Sequence, residues 1–284
     1  PVFIFGLGPA PRLGIAGSAF ATFIAQTVSL AAMLRHLYRR RHLLCLHGEE
    51  LGFLRIDWRL AAALLRKGIP MGGQITVMSL SGVLMISLVN RFGVDTTAAF
   101  GAALQIWNYI QMPAFAVGQA VSAMAAQNVG AGKWDRVGRI AAVGVAFAIA
   151  ITGSVILALE LLGARAFSPF LPAGSPGLAI AAHLNHIATP SYMFFAIAMV
   201  LFATVRSTGA VMLPLAIMTI SLLLVRFPLA DALLSSYHAD AIWWSFPISS
   251  ALAALLAALY YRLGGWRSAR MLAGKPSTGA RTGA

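Results

Sequence analysis

Seven stretches of mostly apolar residues constrain what this chain can become. They cover residues 14–34, 68–90, 97–118, 140–162, 178–205, 210–230 and 241–261. About 20 such residues are needed for a helix to cross the hydrocarbon of a bilayer. Inside lipid no water satisfies backbone N–H and C=O groups, so spans of this length are helices, which pair those groups internally. Strands of a membrane barrel would alternate in polarity, and these stretches do not. Charged residues make up only 10% of the chain, against roughly 25% in a soluble domain. The expected fold is therefore all-α: a polytopic membrane protein with seven transmembrane helices.

Charge then orients the spans. A net charge of +13 in a soluble chain would point to nucleic acid. Here the basic residues sit at alternate connections. Residues 35–67, the turn after the third span, Arg206 and the tail after the seventh span hold seventeen Lys and Arg. The opposite connections hold three: Arg12, Arg91 and Arg165. Basic loops stay in the cytosol, so the C-terminus is expected there, in a plasma (inner) membrane, and no nucleic-acid partner is expected. Pro1 then falls on the outer side. No Met and no basic leader precede the first residues, so an upstream part of the protein is expected. Cys45, the single cysteine, excludes an internal disulfide and is expected on the cytosolic side.

The longest polar interval, residues 38–67, divides the chain, and its end, residues 59–68, reads as an amphipathic helix at the membrane surface. Four segments follow: 1–37, the connection 38–67, a helical bundle over 68–263, and a basic tail over 264–284. Pro113 and Gly118 predict a kink in the third span.

Three spans carry polar stripes at helical spacing. The third span places Gln105, Asn108, Met112 and Gln119 on one face. In the second, Gln74, Met78, Ser81 and Met85 align in the same way. Asn185, Thr189, Tyr192 and Met199 follow in the fifth. Amides, one phenol and adaptable methionines suit a wet cavity for varied amphipathic cations; the same groups also serve to join helices by hydrogen bonds. The candidate cavity residues are Gln74, Met78, Met85, Gln105, Asn108, Met112, Tyr192 and Met199.

Chemistry beyond binding finds little support in the chain. No Asp or Glu lies in the middle of the second, third or fifth span. Glu160 lies near the outer end of the fourth span and reads as an interfacial charge; Asp95 and Asp231 lie at interfaces. Arg226, close to the outer end of the sixth span, is expected to reach outward or to pair with Asp231. His183 and His186 have metal-like spacing but no evident third ligand, so no metal site is expected. Neither a nucleophile motif nor a phosphate-binding Gly loop is present, so the chain is read as no enzyme, with no cofactor.

Several segments resemble the multidrug and toxic compound extrusion (MATE) transporters. PVFIFGLG and LGIAGSAFAT, within residues 1–22, are similar to the end of the family's fifth helix and the start of its sixth. AAQNVGAGKWDRV, residues 125–137, resembles the Gln-x-x-Gly-Ala-Gly turn after the eighth. VRSTGAVMLP (205–214), VRFPLAD (225–231) and the pair Gly265-Trp266 also fit. The resemblance implies twelve helices in two six-helix lobes, with export of cationic or amphipathic small molecules driven by Na⁺ or H⁺. On that map residues 1–37 are a remnant of the N-terminal lobe, and 68–263 are the whole C-terminal lobe. Some family members carry intramembrane acids in this lobe, on helices seven and ten, and this sequence departs from that pattern. Ion coupling is therefore expected in the missing N-terminal lobe, which becomes the chain's main partner. Two alternatives stand: a flippase for lipid-linked sugars, which would need a strongly cationic cavity, and a fragment inactive in transport.

Overall fold

The computed structural model describes residues 2–6, 11–40 and 57–269. Every described helix and turn is free of β-strand. The chain divides into two compact units, 1–58 and 59–284. Cys45 and the tail beyond residue 269 lie outside the described residues.

The first unit contains a short α1 (Val2–Phe5) and a long α2 (Gly14–Arg39). The Leu13 amide donates to the Phe3 carbonyl at 2.9 Å, and Phe3 meets Phe20 edge-on at 5.4 Å. Apolar side chains such as Phe23, Val28 and Met33 are exposed along α2. That is the pattern of a helix whose solvent is lipid rather than water.

In the second unit, α3 (Trp58–Val89) is followed by α4 (Val94–Gly130) and α5 (Trp134–Leu162). The segment expected as a separate surface helix, residues 59–68, forms the first turns of α3 instead. α6 (Pro176–Ala188) and α7 (Ser191–Arg206) make one span bent by 46°. Pro190 supplies the reason: it has no N–H to continue the ladder, and the chain crosses the break with short-range Tyr192-to-Thr189 and Met193-to-Pro190 amide bonds. α8 (Met212–Thr219) passes into a π-helical segment, Ile220–Arg226, and then into α9 (Phe227–Tyr237). α10 (Ala239–Leu263) closes the bundle.

Five described helical stretches are long and apolar enough to cross a membrane, and the bent pair makes a sixth. The remaining expected span lies within α4, whose 37 residues suffice in length but are diluted by Gln105, Asn108, Gln111 and Gln119. Pro113 lies inside α4 without ending it.

Packing centres on α7, which touches α4, α5 and α10. Trp107, Phe100, Trp243 and Phe246 form a buried aromatic group, with Phe100 stacked on Trp243 at 5.8 Å and Trp107 against Phe246 at 5.1 Å. Close approach of α5 depends on Gly144, where a Cβ would press into Val121 and lie 3.2 Å from Val200 Cγ1. Small residues at such crossings let helix backbones come together in lipid, where dispersion does the work.

Three of the motifs that carried the family resemblance, at 125–137, 205–214 and 265–266, meet at one end of this unit. α4 ends in a Schellman turn: the Lys133 amide donates to the Asn128 carbonyl at 2.9 Å and Gly132 to Val129 at 3.1 Å. Gly132 takes φ +71° there, a conformation that costs residues with a Cβ. Ala125, Val137, Val205 and Trp266 pack together beneath it, and the Thr208 hydroxyl donates to the Trp266 carbonyl at 2.9 Å.

Candidate functional site

The α4 stripe survives folding as a surface. Gln105, Asn108, Met112 and Gln119 are all exposed, on the side of α4 opposite the buried Ile106, Trp107 and Ile110. Three amides on an open face of a membrane-length helix are costly against hydrocarbon, and the sequence places them at i, i+3 and i+14, so they share one line of sight.

The other five candidates behave differently. Gln74, Met85, Tyr192 and Met199 are buried, and Met78 is half-buried. Expected on a wet wall, they instead lie among the helices of the unit. Tyr192 packs between Trp107 at 5.7 Å and Phe195 at 6.1 Å. Met85 sits in the aromatic core. Met199 belongs to a cluster with Phe202, Ile217 and Met218, against which Met78 rests. For Tyr192 and Met199 the reason is that α7 packs against α4, α5 and α10 and is buried along most of its length. Only Gln105, Asn108 and Met112, of the eight, share an exposed face.

The α3 stripe is a seam. The Ser81 hydroxyl donates to the Leu222 carbonyl of the π-segment at 3.3 Å. Farther along, Gly73 faces Leu215. Gln74 Nε2 and Ser221 Oγ are buried and have no hydrogen-bond partner among the described residues. Carbonyls freed by a π-turn are natural acceptors for such a serine.

Asn185 and Thr189 join a polar chain between helices. The Trp107 indole N–H donates to Thr189 Oγ1 at 3.0 Å, and the Thr189 hydroxyl donates to Asn185 Oδ1. Asn185 Nδ2 reaches Glu160 Oε1 at 3.5 Å, and Glu160 Oε2 lies 3.0 Å from His186 Nδ1. His183 meets a different carboxylate, Asp240, at 2.9 Å. The two histidines thus answer to separate partners, and among the described residues no group of three or more ligating side chains forms a metal site.

Arg226 departs most from its expected place. Its helix continues to Tyr237, and its side chain turns toward α10 instead of outward. It does not pair with Asp231, which faces Arg91 at 3.4 Å. Its Nε donates to Ser249 Oγ at 2.8 Å and its Nη2 to Ser250 Oγ at 3.4 Å. The guanidinium carbon lies 4.4 Å over the Phe246 ring. One arginine inside an apolar run, opposite serines at positions 245, 249 and 250, was the sequence signal for this cradle.

A groove of about 800 Å³ runs between α4 and α5, lined by Pro113, Val117, Met124 and Phe147 with Arg136 and Arg139 at one end. None of the eight candidates lines it.

The geometry has close counterparts among known proteins. The MatE family model matches residues 70–230. Probable multidrug resistance protein YoeA of Bacillus subtilis (strain 168) is 35% identical over 264 residues, which is 92% of this chain and 57% of that protein. Probable multidrug resistance protein YpnP of the same organism is 30% identical over 93% of this chain and 58% of its own length. A crystal structure of MATE in complex with MaL6 superposes with a TM-score of 0.81 at 17% identity, over 92% of this chain and 58% of that one. The chain therefore spans a little over half the length of these relatives. With more than half of its residues under the family model, it belongs to the MatE family of membrane transporters and is no enzyme.

Proposed function

We propose that this chain supplies the C-terminal lobe of a secondary antiporter, which exports cationic or amphipathic small molecules in exchange for Na⁺ or H⁺ across the plasma membrane. The C-terminus and the basic turns face the cytosol, a reading supported by the distribution of Lys and Arg. Gln105, Asn108 and Met112 form the wall of the translocation cavity. Gln74, Met78, Met85, Tyr192 and Met199 form the layer behind it.

One observation carries the reading: an open stripe of amides on a helix long enough to span the bilayer. Polar groups at that depth are tolerated where they line water or a partner surface. A second lobe facing this stripe would close a cavity, and rocking of two such halves gives alternating access. The described part of this lobe has no mid-span carboxylate facing the stripe, so the exchanged ion binds in the other lobe. The flippase alternative needs a strongly cationic cavity, and one arginine does not provide it.

The test replaces Gln105 and Asn108 together by leucine in the full-length protein. Ethidium efflux from cells is then followed with and without an uncoupler. The double variant should reach the membrane at normal levels and lose most uncoupler-sensitive efflux. Efflux equal to wild type would remove the stripe from the pathway.

A further inference from the structure

We propose that Arg226 anchors an anionic group of the transported compound, so that the substrates include amphipathic molecules bearing a carboxylate, sulfonate or phosphate. The proposal rests on the exporter reading above and adds a substrate class to it.

Arg226 turns inward. Asp231, five residues farther along, reaches Arg91 in the turn between α3 and α4 at 3.4 Å, so Arg226 starts only about 7 Å of helix below that turn. An arginine near a helix end reaches the headgroups, yet this guanidinium runs the other way, to Ser249 and Ser250 beside the middle of α10. A charge turned into a bundle is retained where it has a partner or a task.

No carboxylate among the described residues is that partner. Asp231 faces Arg91, Asp240 faces His183, and Glu160 faces His186. What holds Arg226 is neutral. The Ser249 hydroxyl donates its own proton to the Phe246 carbonyl at 3.1 Å, so its lone pairs are fixed toward the guanidinium. Ser250 and the Phe246 face complete the cradle. These contacts orient the guanidinium without neutralising it.

The cradle leaves one edge of the fork free. Nε and Nη2 are engaged, while Nη1 has no hydrogen-bond partner among the described residues. Ser249, Ser250 and Phe246 are buried, yet Arg226 remains partly exposed. A guanidinium fixed through Nε and Nη2, with the Nη1 donors unengaged, suits a planar or tetrahedral oxyanion. The π-segment ending at Arg226 is a feature that recurs at functional sites because it re-aims one side chain within a helix.

Two other sources offer the same anionic chemistry: a phospholipid headgroup, and a carboxylate elsewhere in the full-length protein. A matched probe pair separates them. Pyrenebutyrate and its trimethylammonium counterpart share one ring system and differ in charge. Each is tested for efflux, and for binding by fluorescence anisotropy, with full-length wild type, Arg226→Gln and Arg226→Lys. Monodisperse elution in detergent establishes that each variant is folded.

Arg226→Gln should weaken binding and efflux of pyrenebutyrate by at least about tenfold and leave the cationic probe largely unchanged, with Arg226→Lys between them. Equal losses for both probes would make Arg226 a structural residue and overturn the proposal. Unchanged pyrenebutyrate binding would do the same, and would assign the arginine to an internal carboxylate. Wild-type binding that vanishes when phosphatidylglycerol is added to phosphatidylcholine vesicles would give the site to a headgroup and overturn the substrate assignment. Failure of the wild type to export either probe would remove the exporter reading instead, and the anisotropy of wild type against Arg226→Gln would still decide the role of the arginine.

Discussion

Trp107 on α4 donates its indole N–H to the hydroxyl of Thr189, 3.0 Å away at the break between α6 and α7. Both residues are fully buried, so this bond ties the bent span to the helix carrying the exposed amides. Thr189→Val keeps the shape and removes the acceptor. It leaves a buried indole N–H without a partner, which costs about 1–3 kcal/mol. A lower unfolding midpoint in detergent is expected, and Trp107→Phe should cost less in that background than in wild type, because the hydrogen bond is already gone. Additive losses in that double variant would show that the two side chains act independently.

Gly144 is a packing prediction. An added methyl meets Val121 and Val200 together, and overpacking of this kind costs about 1–3 kcal/mol. Gly144→Ala should therefore destabilise the protein, and Val121→Ala in combination should recover part of the loss. Thermal unfolding of the four combinations checks this, and a Gly144→Ala variant as stable as wild type would refute the close approach.

Sidedness is tested at two described turns on a Cys45→Ser background. Ala131 follows α4 at the basic end, and Val94 is exposed at the start of the same helix. Ala131→Cys should react with an impermeant maleimide only after cells are opened, and Val94→Cys should react in intact cells. The reverse pattern would invert the proposed topology.

Accessibility separates the wall from the layer behind it. Gln105→Cys and Asn108→Cys should label quickly with a water-soluble thiol reagent. Met85→Cys and Met199→Cys, at buried positions, should stay protected. Rapid labelling at all four would restore the single eight-residue cavity expected from helical spacing.

These four positions also show what periodicity conveys. It puts Gln105, Asn108 and Met112 on one side of α4, because i, i+3 and i+7 of a helix share a face. The α7 stripe failed for a local reason. Thr189 and Pro190 break the helix between Asn185 and Met199, so positions counted along one cylinder belong to two. The partner of Arg226 was not legible, because Ser249 and Ser250 belong to another helix and Asp231 is drawn to Arg91 instead. The aromatic group of Trp107, Trp243 and Phe246 was invisible for another reason: its members come from α4 and α10, far apart in sequence. The turn at residues 127–133 was legible outright, since its bonds are local and Gly132 occupies the one position with positive φ.

The seven-residue π-segment Ile220–Arg226 gives this span slack in its length. A π-turn holds one residue more than an α-turn. Removing a single residue there, for instance Leu223, lets the segment return to ordinary winding with both flanks still in register, so Arg226 keeps its place beside the serines of α10. The same loss in the regular α8 has no spare residue to draw on and rotates everything beyond it by about 100°. Within this span, one stretch can lose a letter and keep its meaning, and its neighbours cannot.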